Sequence, residues 1–193
     1  MKSQRAESSS PNILLGISGS VAAIKTKELY DLLKVSHNVR IVATKSAMHF
    51  LGTLDGIEDM VVYQDDEEWK SWRSKGDQVL HIELRNWADV MIIAPLSANT
   101  LGKIANGLCD NLLTCIVRAW DFGKPLLLAP AMNTYMWNNP LTKNHLGVCT
   151  DLGFIIIPPI SKKLACGDIG EGAMAEPQDI SELCTSMINS RSC

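Results

Sequence analysis

Short apolar runs alternate along this chain with longer stretches of helical spacing. Residues 12–17 form a β-rich run punctuated by Ser18-Gly19-Ser20, and residues 21–35 then set Ile24, Leu29, Leu32 and Leu33 at helical intervals. Residues 39–44 read as a second strand, so the chain opens with a βαβ unit, a parallel pair joined by a right-handed crossover. Ser46 is placed to cap a helix over 47–51, residues 61–63 read as a short strand, and the acidic front of 65–72 suits a helix start. Residues 90–94 form a further apolar strand that Pro95 is expected to stop, with helices over 98–105 and 112–120 around Gly107. Strands over 125–129 and 154–157, the latter before Pro158-Pro159, and a helix over 178–188 complete the pattern. This order predicts a single α/β domain, a doubly wound parallel sheet in a three-layer sandwich of the Rossmann/flavodoxin-like kind. Residues 1–11 are expected to be a disordered leader, 12–189 the domain and 190–193 a tail.

Composition narrows the function classes. A chain of 193 residues with a net charge of −3 has no general pull toward nucleic acid or anionic membrane. No apolar run approaches the roughly 20 residues that span a bilayer, and the polar, serine-rich start is not a secretory signal. The six cysteines, at 109, 115, 149, 166, 184 and 193, show no CxxC pair and no zinc-like grouping, so no metal site is expected. Reduced thiols in a cytosolic protein are the better reading.

Candidate chemistry gathers at predicted strand ends. Pro130-Ala131-Met132-Asn133-Thr134-Tyr135-Met136-Trp137 follows the run 126–129, at the carboxyl end of a strand where open α/β sheets place ligands. Gly16-Ile17-Ser18-Gly19-Ser20-Val21 turns from strand to helix; its N–H groups and hydroxyls suit one phosphate, without the GxGxxG of a dinucleotide fold or a Walker lysine. Thr44-Lys45-Ser46 and Ser97-Ala98-Asn99-Thr100 end two more strands on the same rim, where helix capping is the competing role. His81 stands among apolar neighbours, either structural or a proton acceptor. Asn133 is a turn residue or an amide aimed at a carboxylate, and Met132 and Met136 are core filler or polarizable contacts. Cys166, in Ala165-Cys166-Gly167-Asp168, is inert or a tuned thiol. The glycines 167, 170 and 172 suggest a flexible flap over substrate.

Several of these motifs, in one order, carry a family resemblance. They are Ser18 to Ala23, Trp69 to Trp72, Val79 to Leu84, Ala94 to Lys103, Cys109 to Thr114, Pro130 to Trp137 and Leu164 to Asp168. Across nearly all of residues 12–180 the chain resembles the homo-oligomeric flavin-containing cysteine decarboxylases, and among them the phosphopantothenoylcysteine decarboxylases of the plant halotolerance type. It departs at Asn86, where an arginine is more usual, and in the C-terminal tail.

The resemblance implies FMN as cofactor, with its phosphate on Gly19, Ser20 and Val21. Ala22, Thr44, Lys45, Ser46, Ser97, Ala98, Asn99, Thr100, Ala131 and Met132 would surround it. It implies His81 as active-site base, Asn133 as the grip on the substrate carboxylate, Cys166 as a later proton donor, and Lys163, Ala165 and Met136 as further substrate contacts. The implied reaction converts 4′-phosphopantothenoylcysteine to 4′-phosphopantetheine in coenzyme A biosynthesis. The cysteinyl unit is oxidised to a thioaldehyde, CO₂ leaves, and the ene-thiol is reduced again. The implied assembly is a homotrimer with FMN between subunits, in the cytoplasm and in the nucleus as a second compartment. Two other readings stand beside it. Related chains are regulatory subunits that inhibit a protein phosphatase and carry long acidic tails, unlike residues 187–193 here. A flavin prenyltransferase shares the fold but needs neither the Asn133 grip nor the Cys166 flap.

Overall fold

Strands β1 (Asn12–Ile17), β2 (Asn38–Ala43), β3 (Val62–Tyr63), β4 (Val90–Leu96), β5 (Leu126–Pro130) and β6 (Ile155–Ile156) form one sheet in a computed structural model that describes residues 10–163 and 169–191. All pairings in it are parallel and the order is β3-β2-β1-β4-β5-β6. Successive strand residues feed opposite faces. Ile13, Leu15, Ile17, Ile92, Ala94, Leu127 and Ala129 pack on one side, and Leu14, Met91, Ile93, Leu126 and Leu128 on the other. Burial on both faces is why these strands read as unbroken apolar runs rather than alternating ones. Each such Leu or Ile, withdrawn fully from water, contributes about 1.5–3 kcal/mol.

One face is covered by α1 (Thr26–Lys34), α2 (Lys45–Leu51) and α9 (Pro177–Arg191). The other is covered by α4 (Leu80–Trp87), α5 (Ala98–Ala105), α6 (Leu112–Arg118) and α8 (Pro140–Asp151). Two short helices, α3 (Asp65–Ser71) and α7 (Thr134–Trp137), and an antiparallel hairpin of β7 (Ile160–Lys163) and β8 (Ile169–Ala173), lie outside these layers. The doubly wound sandwich expected from element order is therefore present. Strand order reverses between β1 and β4, and the crevice at their carboxyl ends is where this topology receives ligands.

Several local expectations change. Pro95 does not stop β4, which continues to Leu96 through a cis Ala94–Pro95 bond with a register irregularity against β5. Thr44, not Ser46, caps α2, its Oγ1 accepting from Ala47 N–H at 3.3 Å. The segment 21–35 splits into a 3₁₀ turn, Val21–Lys25, followed by α1. The helix expected over 112–120 stops at Arg118. The segment holding His81 is the helix α4, and α9 runs on to Arg191, past the expected helix end at 188. Residues 1–9 of the expected leader lie outside the described residues.

Candidate functional site

The turns after β1, β2, β4 and β5 are bonded into one rim. Ser18, fully buried, donates its N–H and its Oγ to the Pro95 carbonyl, at 3.2 and 2.8 Å, while its Oγ accepts from Ser97 N–H at 2.7 Å. That rivets β1 to β4 at the point of strand-order reversal. Ser20 caps the 3₁₀ turn by accepting from Ala22 N–H, and its Oγ donates to the Ala131 carbonyl, both at 3.3 Å. Thr44 Oγ1 lies 3.2 Å from Ser46 Oγ. Ser97 Oγ accepts from Thr100 N–H at 3.3 Å and meets Thr100 Oγ1 at 3.2 Å. Ala131 N–H donates to the Leu96 carbonyl at 2.9 Å. At Gly19 the rim has no room for a side chain, because a Cβ would stand 2.4 Å from Ser46 Oγ.

The segment after β5 is held from above by the hairpin. Asn133 caps α7, its Oδ1 accepting from the N–H groups of Tyr135 and Met136 at 2.9 and 3.2 Å. Met132 N–H donates to the Gly172 carbonyl at 2.9 Å. Gly172 has φ +123°, and a Cβ there would meet Met132 O at 2.4 Å; one on Gly170 would meet Thr134 Oγ1 at 2.6 Å. These two glycines therefore allow β8 to lie directly on the Asn133 segment. Trp137 Nε1 donates to Glu171 Oε2 at 3.3 Å. Glu176 accepts from Lys162 Nζ at 2.8 Å and from Lys25, tying β7 to the first turn of the rim. Those two ammonium groups hold its carboxyl below the ordinary value of 4.5.

The acidic front of α3 divides its labour. Glu67 Oε2 accepts from Gln64 N–H at 2.7 Å, and Asp65 Oδ1 accepts from Leu112 N–H at 2.8 Å, joining α3 to α6. Glu68 reaches α4: its Oε1 lies 2.7 Å from His81 Nδ1, and its Oε2 accepts from His81 N–H at 3.1 Å. Both side chains are mostly covered, His81 exposing 26% and Glu68 18%. Helix α4 runs back toward the start of β4, so its first turn lies at the carboxyl end of the sheet; α4 packs on α3 and α6. Sequence reasoning missed Glu68. The residue stands 13 positions before His81 within a four-residue acidic run, a spacing that no helical or strand period connects.

The family model described as "Flavoprotein" matches residues 1–189. The chain belongs to the flavoprotein family. A phosphopantothenoylcysteine decarboxylase of Arabidopsis thaliana is 62% identical to this flavoprotein over 167 residues, 86% of this chain and 80% of the relative. One from Mus musculus is 52% identical over 170 residues, 87% of this chain and 82% of that one. Among solved structures, a PPC decarboxylase with a cysteine-to-serine substitution, complexed with pantothenoylaminoethenethiol, superposes with a TM-score of 0.90 at 56% identity. It covers 94% of this chain and 100% of its own. "The FMN binding protein AtHal3" gives a TM-score of 0.87 at 57% identity over 94% and 98% of the two chains.

The rim fits the FMN of a flavoprotein. Its walls are N–H groups, hydroxyls and small side chains at Gly19, Ser20, Ala22, Ser97, Ala98 and Ala131, which admit a phosphate and a flat ring at close range. Thr44, Ser97 and Thr100 are buried, Thr44 bonded to Ala47 N–H and to Ser46, and Ser97 bonded to Thr100, whereas Val21, Lys45, Ser46 and Asn99 face outward. Capping and ligand seating are thus compatible at these turns. Met132 is half-buried, its side chain against the core layer beside α8, with Thr142 Oγ1 3.9 Å from its sulfur. Met136 and Tyr135 are exposed beside Asn133. Cys166 and Ala165 lie outside the described residues, and Lys163 is described only as the last residue of β7. Apart from the exposed Cys109, burial pushes the described thiols up, Cys115 and Cys149 to about 11 and Cys184 to about 12. At neutral pH they remain thiols and pack as small apolar groups.

Proposed function

We propose that this flavoprotein catalyses the FMN-dependent decarboxylation of 4′-phosphopantothenoylcysteine to 4′-phosphopantetheine, a step of coenzyme A biosynthesis. The observation that carries the reading is the uncharged, N–H-lined rim at the β1/β4 reversal, overlaid by the capped Asn133 segment, in a chain 56% identical to a PPC decarboxylase complexed with pantothenoylaminoethenethiol. Held at Gly19, Ser20, Ser97, Ala98 and Ala131, FMN would supply a reversible two-electron acceptor for the sulfur-bearing carbon, and with it the electron sink that decarboxylation needs. Asn133 grips the substrate carboxylate through its side-chain amide. His81 takes the substrate thiol proton. Cys166 supplies a proton to the ene-thiolate once CO₂ has left, with Lys163, Ala165 and Met136 as further substrate contacts.

The assembly is a homotrimer with the cofactor at the subunit interface. Two features support this: His81 lies on the α3–α4 face, bonded to Glu68 rather than to the rim, and Trp69 on the same helix exposes 79% of its surface in the isolated chain. Large exposed apolar groups of this kind mark association surfaces. The protein works in the cytoplasm and the nucleus, where its cysteines stay reduced.

The test is a flavin absorbance spectrum of purified protein, followed by assay of CO₂ release and identification of the thiol product by mass spectrometry. The expected result is a yellow protein that yields 4′-phosphopantetheine. Cys166→Ser should keep FMN and release CO₂ but accumulate a product lighter by two hydrogens. Colourless protein that refuses FMN overturns the function, and complete turnover by Cys166→Ser removes that residue from the chemistry.

A further inference from the structure

We infer that Glu68 is a positioning residue that holds His81 in one tautomer, with hydrogen on Nδ1, so that Nε2 is the atom that accepts the substrate proton. The inference rests on the proposed role of His81 as base and adds what selects its reactive nitrogen.

Both oxygens of the Glu68 carboxylate face His81. Oε2 accepts the backbone N–H at 3.1 Å, and Oε1 lies 2.7 Å from Nδ1. The N–H belongs to the first turn of α4, where no intrahelical acceptor exists, and Val79 at the helix start offers no side-chain cap. Glu68 therefore does two things at once: it caps α4 from another helix and it grips the ring. An ionised carboxylate only accepts hydrogen bonds, and a backbone N–H only donates. A contact of 2.7 Å between Oε1 and Nδ1 thus requires hydrogen on Nδ1, leaving the Nε2 lone pair for proton transfer. The same carboxylate lies beside the imidazolium formed after transfer, the arrangement by which an acid orients and supports a histidine base. The other acid of that turn facing α6, Asp65, is committed to Leu112 N–H at 2.8 Å and does not compete for the ring.

This geometry makes the isosteric substitution Glu68→Gln decisive. The backbone N–H must keep an oxygen, so the glutamine oxygen takes the Oε2 position and its NH₂ faces Nδ1. Two facing donors would leave a polar group unsatisfied at about 1–3 kcal/mol. The ring escapes by moving its hydrogen to Nε2, and the lone pair needed for catalysis is lost.

The experiment uses FMN-loaded protein labelled with ¹⁵N-histidine, read by long-range ¹H–¹⁵N NMR, with His81→Asn identifying the His81 signals and serving as the activity control. Wild type is expected to show hydrogen on Nδ1 of His81 and Glu68→Gln to show it on Nε2. FMN should remain bound in both, with kcat down by about 10³–10⁴-fold in Glu68→Gln, the scale of a wrong tautomer at a histidine base. Glu68→Ala, which releases the ring without inverting it, should show exchanging tautomers and lose less activity than Glu68→Gln; this ordering is the opposite of a merely structural role. Wild-type tautomer and turnover in Glu68→Gln, with His81→Asn inactive, overturn the inference alone. Full activity in His81→Asn overturns the role of His81 itself. If Glu68→Gln does not fold, a single Nδ1–H tautomer with undiminished turnover in Glu68→Ala overturns the inference.

Discussion

Gly19→Ala tests whether the rim is as tight as its bonds indicate. The added Cβ would lie 2.4 Å from Ser46 Oγ and 2.7 Å from Ser46 Cβ, where ordinary contacts begin at 3.4 Å. The Oγ can rotate toward solvent, because Ser46 is exposed, but its Cβ moves only with the first turn of α2. Roughly an ångström of separation between the β1 and β2 turns is therefore needed. Overpacking of this kind costs about 1–3 kcal/mol. The turns that must part are those proposed to seat the FMN phosphate, so affinity should fall with stability; each tenfold loss corresponds to about 1.4 kcal/mol. We expect a lower urea midpoint and FMN binding weakened by roughly ten- to a hundredfold in a flavin fluorescence titration. Ser46→Gly removes both obstructing atoms at a helix cost of up to about 1 kcal/mol. The pair should couple, with the double variant recovering more than about 1 kcal/mol relative to the sum of the singles. Unchanged midpoint and affinity in Gly19→Ala, or no recovery in the double variant, refutes the account.

Two further outcomes follow from the surface. Glu176→Gln should lower stability by up to about 1 kcal/mol near neutral pH, since the ion pairs to Lys25 and Lys162 are partly exposed and screened by salt. The folded carboxyl lies below its ordinary value of 4.5, so its contribution is complete above that value and fades as pH falls through the folded value; urea midpoints of the two proteins should converge in acid, and a constant gap would refute the pairing. Trp69→Asp should shift the proposed trimer toward monomer in sedimentation velocity while each chain stays folded, and an unaltered oligomer would place the interface elsewhere.

The order of elements was legible because a parallel sheet covered on both faces writes itself as apolar runs separated by amphipathic stretches. Runs such as 13–17 and 126–129 admit few other readings. Boundaries set by single residues were less legible. Pro95 reads as a stop, yet β4 passes through it to Leu96 because the Pro95 carbonyl receives two bonds from Ser18, 77 residues away. Helix α4 escaped because Val79 at its start offers no side-chain cap; its first turn is completed by a carboxylate from α3. The β7–β8 pair depends on contacts between separate segments and on glycines whose value appears only when Met132 and Thr134 lie against them.

The chain's own pattern determined the sandwich, the rim and the polar residues that line it, since local periodicity and the position of strand ends are properties of neighbouring residues. Tertiary structure alone decided that Ser18 locks two turns together, that Gly170 and Gly172 lie against Thr134 and Met132, and that Glu68 meets His81. Each of those depends on the distance between segments far apart in the chain, which folding sets and linear order does not record.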